Sequence, residues 1–147
     1  SSLHRTAGGR SVRVALVPNP SHLEFVNPVV MGIARAKQDL NYGGNRGSVV
    51  PVLIHGDAAF IGQGIVPESL NLCRIPGHAC GGTLHVVINN QVGFTTNAEE
   101  GRSSVYCSDY GKAFGMKVIV WGRDASREKA VADGHTAATS REVFFEQ

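Results

Sequence analysis

The chain is 147 residues long, room for one domain with a core of its own but not for two. Its 42% hydrophobic and 18% charged residues are the proportions of a globular domain, which sets wholesale disorder aside. Fourteen Lys and Arg against twelve Asp and Glu leave a formal charge of +2, too weak and scattered for a nucleic-acid or membrane-surface binder, and no apolar run approaches the length of a membrane span.

Eighteen glycines between short apolar runs predict strands alternating with helices across tight connections. Residues 11–17 (SVRVALV) alternate as a strand does, and Pro18 and Pro20 end it. A helical pattern follows over 21–38, with Ser21 placed as N-cap and Glu24 three residues on completing a capping box. Residues 41–47 (NYGGNRG) are a loop by composition. The run 49–55 (VVPVLIH) is β-branched and unalternating, the pattern of a strand covered on both faces of a parallel sheet. Residues 64–74 read as a helix that accepts Pro67 only in its first turn. After a flexible 77–82 connection, 83–89 (TLHVVIN) is a second buried strand. Residues 118–120 predict a third, and 127–146 has helical spacing broken at Gly134. Strand, turn, helix, loop, strand is a βαβ unit, and right-handed crossover makes its sheet parallel. The expected fold class is α/β, a parallel sheet flanked by helices, in a single domain over 1–147.

Three cysteines, Cys73, Cys80 and Cys107, are too few and oddly numbered for a disulfide scaffold and point to a reducing compartment. C-x6-C lacks the CxxC element of a zinc knuckle, so buried or half-buried thiols are the expectation. The first ten residues hold no apolar stretch, and no secretory signal is expected.

In open parallel sheets, ligands sit beyond the carboxyl ends of the strands. Two such ends carry small oxygen-bearing side chains, Asp57 and Asn90, one crossover apart. With the two strands adjacent, a carboxylate and an amide oxygen meet near one point. That pair suits a hard cation of the magnesium type, completed by waters, backbone carbonyls and ligand phosphates. GDAAF leads into a helix, whose free N–H groups favour a phosphate nearby. Alone, Gly-Asp is a turn and Asn-Asn a cap; together they are specific.

GDAAFIGQGIVPESLNL and GGTLHVVINNQVGFTT resemble the thiamin-diphosphate motif, which begins with Gly-Asp and ends on paired asparagines. With NPSHLE before it and RSSVYCSD after it, the sequence is similar to the E1 component of 2-oxoglutarate dehydrogenase and its 2-oxoadipate relative. The resemblance runs over 12–147 and is strongest over 18–112, with GIVPESLNL and GRSSVYCSDYGK leaning towards the 2-oxoadipate branch. It implies a thiamin-diphosphate-binding fold, of which this chain is the diphosphate-binding part. It also implies oxidative decarboxylation of 2-oxoglutarate or 2-oxoadipate, with acyl transfer to a lipoyl group, using thiamin diphosphate and Mg2+.

Carried over residue by residue, the resemblance makes Asp57 a metal ligand, Asn90 a second through its side chain, and Val92 a third through its carbonyl. Ser21, Leu23, Asp57, Ala58, Ala59 and Asn90 would bind the cofactor. His22 would be the catalytic candidate, part of the polar wall receiving the 2-oxo acid. The implied partners are a lipoyl-bearing E2 acyltransferase, E3 through the complex, and a second copy of E1. The implied location is the mitochondrial matrix in a eukaryote and the cytoplasm in a bacterium.

Other residues have plainer readings. Ser21 also serves as a helix N-cap and Leu23 as core. His55 and His85, inside apolar strands, read as satisfied core histidines, and His78 as a solvated loop residue. Arg102 and Asp109 read as a surface ion pair, or as the fasteners of a loop over the site. No G-x-S-x-G elbow is present, and Pro67 stands where a dinucleotide fingerprint needs its third glycine. Four positions depart from the family pattern: Phe25 for a small residue, Met31 for an acidic one, Trp121 for Asn and Arg123 for Asp. The resemblance implies a second, aminopyrimidine-binding domain that these residues do not contain, so they are not expected to catalyse alone. A non-catalytic structural or assembly remnant of such an E1 is the alternative.

Overall fold

A computed structural model describes residues 1–140. The chain opens with a hairpin in which β1 (Ser2–Arg5) pairs antiparallel with β2 (Ser11–Val14), Ser2 opposite Val14. Every residue of both strands is exposed. The strand expected over 11–17 therefore stops at Val14 and pairs with a ribbon partner rather than joining the parallel sheet.

The first helix, α1 (Val26–Tyr42), begins five residues later than the pattern predicts. Ser21 is not its N-cap: the cap position falls on Phe25 and carries no side-chain hydrogen bond. Glu24 sits in the left-handed region at φ +69°, and its carboxylate turns inward to accept from Asn27 Nδ2 at 2.7 Å. His55 Nδ1, at 2.6 Å, is its second partner. That buried pairing takes Glu24 out of the capping box. The helix buries Asn27, Met31, Ala34 and Gln38 along one stripe and ends at Gly43, whose φ of +58° forms a left-handed C-cap. Met31, where the family favours an acid, is thus a core residue.

Gln38 ties this helix to the rest of the fold. Its fully buried Nε2 shares its two N–H groups among the carbonyls of Arg46 (3.0 Å), Val49 (2.8 Å) and Cys80 (2.8 Å), and its Oε1 accepts from Arg46 Nη1 at 3.3 Å. Gly81 lets the two connections touch. A Cβ there would lie 2.7 Å from both the Cβ and the carbonyl oxygen of Arg46, and its φ is +84°.

β3 (Val52–Gly56) is followed by α2 (Asp57–Gly62), α3 (Ile65–Leu72) and β4 (Leu84–Ile88). β3 and β4 are parallel neighbours, Val52 opposite Leu84 and Gly56 opposite Ile88, as a βαβ unit requires. Pro67 lies in the first turn of α3, where its missing N–H costs nothing. Phe60, Val66 and Leu70 form the core beneath β4, with Val87, Tyr110, Phe114 and Met116 packed against them. Coverage of the sheet differs from expectation. Leu53 and His55 are buried, but Val52, Ile54, Leu84 and Ile88 are 51–70% exposed, so β3 alternates and the opposite face lies open.

Beyond the unit come α4 (Ala98–Gly101), α5 (Asp109–Ala113), β5 (Ile119–Val120), α6 (Asp124–Ala132) and β6 (Thr136–Ala137). The short strand expected near 118–120 is present, but it pairs in parallel with β6 in a sheet of its own. The helix expected over 127–146 is α6, which starts earlier and gives way at Gly134 (φ +79°) to β6. Positions 141–146 of that expectation lie outside the described residues. Among the described residues, no helix is long and apolar enough to cross a membrane.

Candidate functional site

The β3–β4 register places two chain segments on one edge of the sheet. Asp57 follows Gly56 directly, and Asn90 stands two residues past Ile88, the partner of Gly56. Parallel strands run about 4.8 Å apart, so both tips overhang the same few ångströms. The chain beyond β4 then folds over α2. Asn90 Oδ1 accepts from the N–H of Val92 at 3.0 Å, while Gln91 and Phe94 take left-handed φ values of +59° and +55°. Gly93 permits the close approach: a Cβ there would sit 3.1 Å from the Ala58 Cβ and 3.3 Å from the Thr96 carbonyl oxygen.

Under this overhang is a cavity of about 190 Å³, with Asp57, Ala58, Ala59, Gln91, Gly93 and Arg102 among its walls. Asp57 is fully buried. Its Oδ2 accepts from Arg102 Nη1 at 2.7 Å, the two side chains being 1% and 10% exposed. Its Oδ1 is buried and has no partner among the described residues. A carboxylate accepts on both oxygens, and a buried one left half satisfied points to a missing donor or cation. A second hollow of about 410 Å³ adjoins the first, sharing Leu23, Ala58, Ala59, Gly93 and Phe94 with it and adding Glu24, Ile54 and Val92 among others.

The expected site residues divide accordingly. Leu23, Asp57, Ala58, Ala59 and Val92 line these spaces. Asn90 is exposed and lines neither space, its amide oxygen accepting from the Val92 N–H. Ser21 and His22 are exposed and line neither space; the His22 ring meets Phe25 edge-on at 6.0 Å. Trp121 and Arg123 also line neither. Among the described residues, no group of three or more His, Cys, Asp or Glu is gathered for a metal. A cation on this edge would rest on one carboxylate and neutral oxygens, a donor set that fits a hard ion shared with phosphates.

Two features differ from the sequence reading. Arg102 is not half of a surface pair with Asp109 but the counter-ion of Asp57 inside the cavity. Asp109 instead accepts the Tyr106 backbone N–H at 3.1 Å. The other feature is a buried chain of titratable groups behind the second hollow. His55, 2% exposed and so a satisfied core histidine as expected, uses Nδ1 on Glu24, while its Nε2 lies 3.0 Å from Nδ1 of half-buried His85. The two imidazoles stack at 5.2 Å. Burial, and then the neighbouring His55, lower the His85 pKa to about 4. Burial alone raises Glu24, but the bonds from His55 and Asn27 outweigh it and hold that carboxyl below its ordinary range.

Of the three free cysteines, Cys80 and Cys107 are buried as expected and Cys73 is exposed; burial pushes the Cys107 thiol up.

The dehydrogenase E1 component family model matches residues 2–141. The 2-oxoglutarate dehydrogenase E1/E2 component of Corynebacterium glutamicum is 56% identical over 139 residues, covering 93% of this chain and 11% of that protein. The multifunctional 2-oxoglutarate metabolism enzyme of Mycolicibacterium vanbaalenii is 51% identical over 115 residues, covering 76% of this chain and 9% of that protein. The chain therefore spans roughly a tenth of the length of these relatives.

Proposed function

The chain belongs to the dehydrogenase E1 component family, in its 2-oxoglutarate dehydrogenase branch, and from that premise we propose that it is the part of an E1 that holds the diphosphate end of thiamin diphosphate through Mg2+. One observation carries the reading: β3 and β4 bring Asp57 and the Asn90–Val92 turn to a single edge, where a buried carboxylate oxygen lacks a partner. Thiamin diphosphate, when bound, supplies the electron sink that lets a 2-oxo acid lose carbon dioxide.

The chain's own residues supply binding and exclusion of water. Asp57 Oδ1, the Asn90 side chain and the Val92 carbonyl are the oxygens for the metal. Ala58 and Ala59 keep the first turn of α2 bare, so that a diphosphate can approach the backbone. Leu23 walls both hollows with apolar surface. His22 and Ser21 become wall residues only if their segment turns towards the hollow, which the exposed position of both side chains allows.

Both relatives carry 2-oxoglutarate in their names, which favours that substrate over the 2-oxoadipate lean of GIVPESLNL. Acyl transfer to the lipoyl group of E2, coupling to E3, and pairing with a second E1 copy belong to the same proposal. So does a thiamin-diphosphate-binding fold completed by a second, aminopyrimidine-binding domain. The bare face of β3 and β4 supports the view that more protein packs here, since parallel sheets are normally covered on both sides. Both relatives are bacterial, which favours the cytoplasm over the mitochondrial matrix.

The test is a calorimetric titration of thiamin diphosphate into the folded chain with Mg2+, then with EDTA, with Asp57→Ala as control. Saturable heat that vanishes with EDTA and in the variant is the expected result. No heat from a chain that circular dichroism shows to be folded, alone and with the complementary domain added, would leave the non-catalytic remnant as the better reading.

A further inference from the structure

We infer that Arg102 is the positioning residue of this metal site: by holding Oδ2 of Asp57 it turns the free Oδ1 towards the cation. The inference rests on the proposal that Asp57 is a metal ligand. Three observations carry it. The guanidinium meets one carboxylate oxygen only, at 2.7 Å, and leaves the other without a partner. Both side chains are nearly sealed from solvent, at 10% and 1% exposure, so water does not compete for the observed pair. Arg102 itself is anchored, because it follows α4, its N–H bonds to the Ala98 carbonyl at 3.1 Å, and α4 packs against α2.

A carboxylate on a free side chain rotates about its terminal bond, and a cation must select one orientation. A charge-assisted bond to a fixed guanidinium removes that freedom beforehand, as outer partners of metal ligands generally do. Without Arg102 the same carboxylate is a buried anion with no counter-ion, which turns away or recruits another donor. The opposite possibility, that Arg102 occupies the place of the cation and weakens its binding, predicts the opposite sign. The two are separable by one measurement.

That measurement is the affinity for Mn2+ in the presence of saturating thiamin diphosphate, with free Mn2+ read by electron paramagnetic resonance against a protein-free mixture. The proteins are the wild-type chain, Arg102→Met, Arg102→Gln and Arg102→Lys. Each is held below its own thermal midpoint, which is measured in EDTA so that loss of fold is not mistaken for loss of affinity. Both neutral variants should bind Mn2+ about tenfold or more weakly than wild type, and Arg102→Lys should recover most of the affinity. If Arg102→Met does not fold, Arg102→Gln decides. Neutral variants that bind as tightly as wild type, or more tightly, overturn the inference alone, as does a lysine variant no better than the neutral ones. A folded wild-type chain that binds no Mn2+ overturns the metal reading of Asp57, and this inference with it.

Discussion

The buried Glu24–His55–His85 chain makes acid stability the sharpest physical test of the fold. His85 takes up a proton in the unfolded chain near its ordinary value of 6.5 but resists it in the folded one until about 4. Between those values the unfolded state binds the extra proton, so stability is full above about pH 7 and falls as pH drops. For one such site, the loss from pH 7 to pH 5 is about 2 kcal/mol, and the part-exposure of His85 trims it to about 1–2 kcal/mol. Glu24 adds a loss of the same sign lower down: its carboxyl is held below 4.5, so its contribution disappears as pH falls below that value.

The groups that face His85 are His55, which stacks on it, and Phe60, whose ring meets it edge-on, with Glu24 one residue further along the chain of bonds. Urea titrations at pH 5, 6 and 7, followed by circular dichroism, read the effect as a midpoint that falls by roughly 0.5–1 M. His85→Gln should flatten the slope between pH 7 and pH 5 while leaving the decline below pH 4.5. An unchanged wild-type midpoint over pH 5–7, or a slope that survives intact in His85→Gln, refutes the reasoning.

Three further outcomes are expected from urea midpoints at pH 7. Gln38→Met, similar in size but without donors, strands three backbone carbonyls that now converge on one amide and should cost about 3 kcal/mol. Gly81→Ala should cost more than Gly134→Ala although both take positive φ. The first Cβ would collide with the Arg46 backbone, whereas the second has open space and bears only about 1 kcal/mol of conformational strain. Phe60→Ala, removing the largest ring of the core, should cost about 3–5 kcal/mol and release the α2–β4 contact.

How much of this was legible in the sequence depended on how local the cause was. The βαβ unit could be read because each part declares itself within a few residues: β-branched runs at 52–56 and 84–88, Pro67 in a first turn, glycines between. The start of α1 could not. S-H-L-E is a capping box by spacing, but the glutamate has a better partner in His55, 31 residues away, and tertiary hydrogen bonding overrode the local signal. The hairpin was half visible, because residues 11–14 alternate while SLHR, their partner, offers no pattern to find. The break at Gly134 in the helical spacing over 127–146 was legible, because a glycine inside such a pattern is a local signal. Its left-handed φ ends α6 and frees Thr136–Ala137 to pair with β5, a pairing no window of neighbouring residues reveals.

The site divides along the same line. Asp57 was legible because an acidic residue at a strand end is a local motif, and the parallel register puts Asn90 past the end of the neighbouring strand; Ala58, Ala59 and Val92 entered only through the family resemblance. Arg102 was legible only as half of a surface pair or as a fastener of a loop over the site, since 45 residues separate it from the Asp57 it neutralises. Physical chemistry offered a signal all the same. A carboxylate at the carboxyl edge of a sheet, beneath a folded-over loop, cannot remain buried alone, so some cation had to stand beside it. Among the chain's fourteen Lys and Arg, those within reach of that edge were few: the GRSSVYCSD segment follows directly after the overhanging loop. The demand for a counter-ion follows from burial, and burial follows from topology.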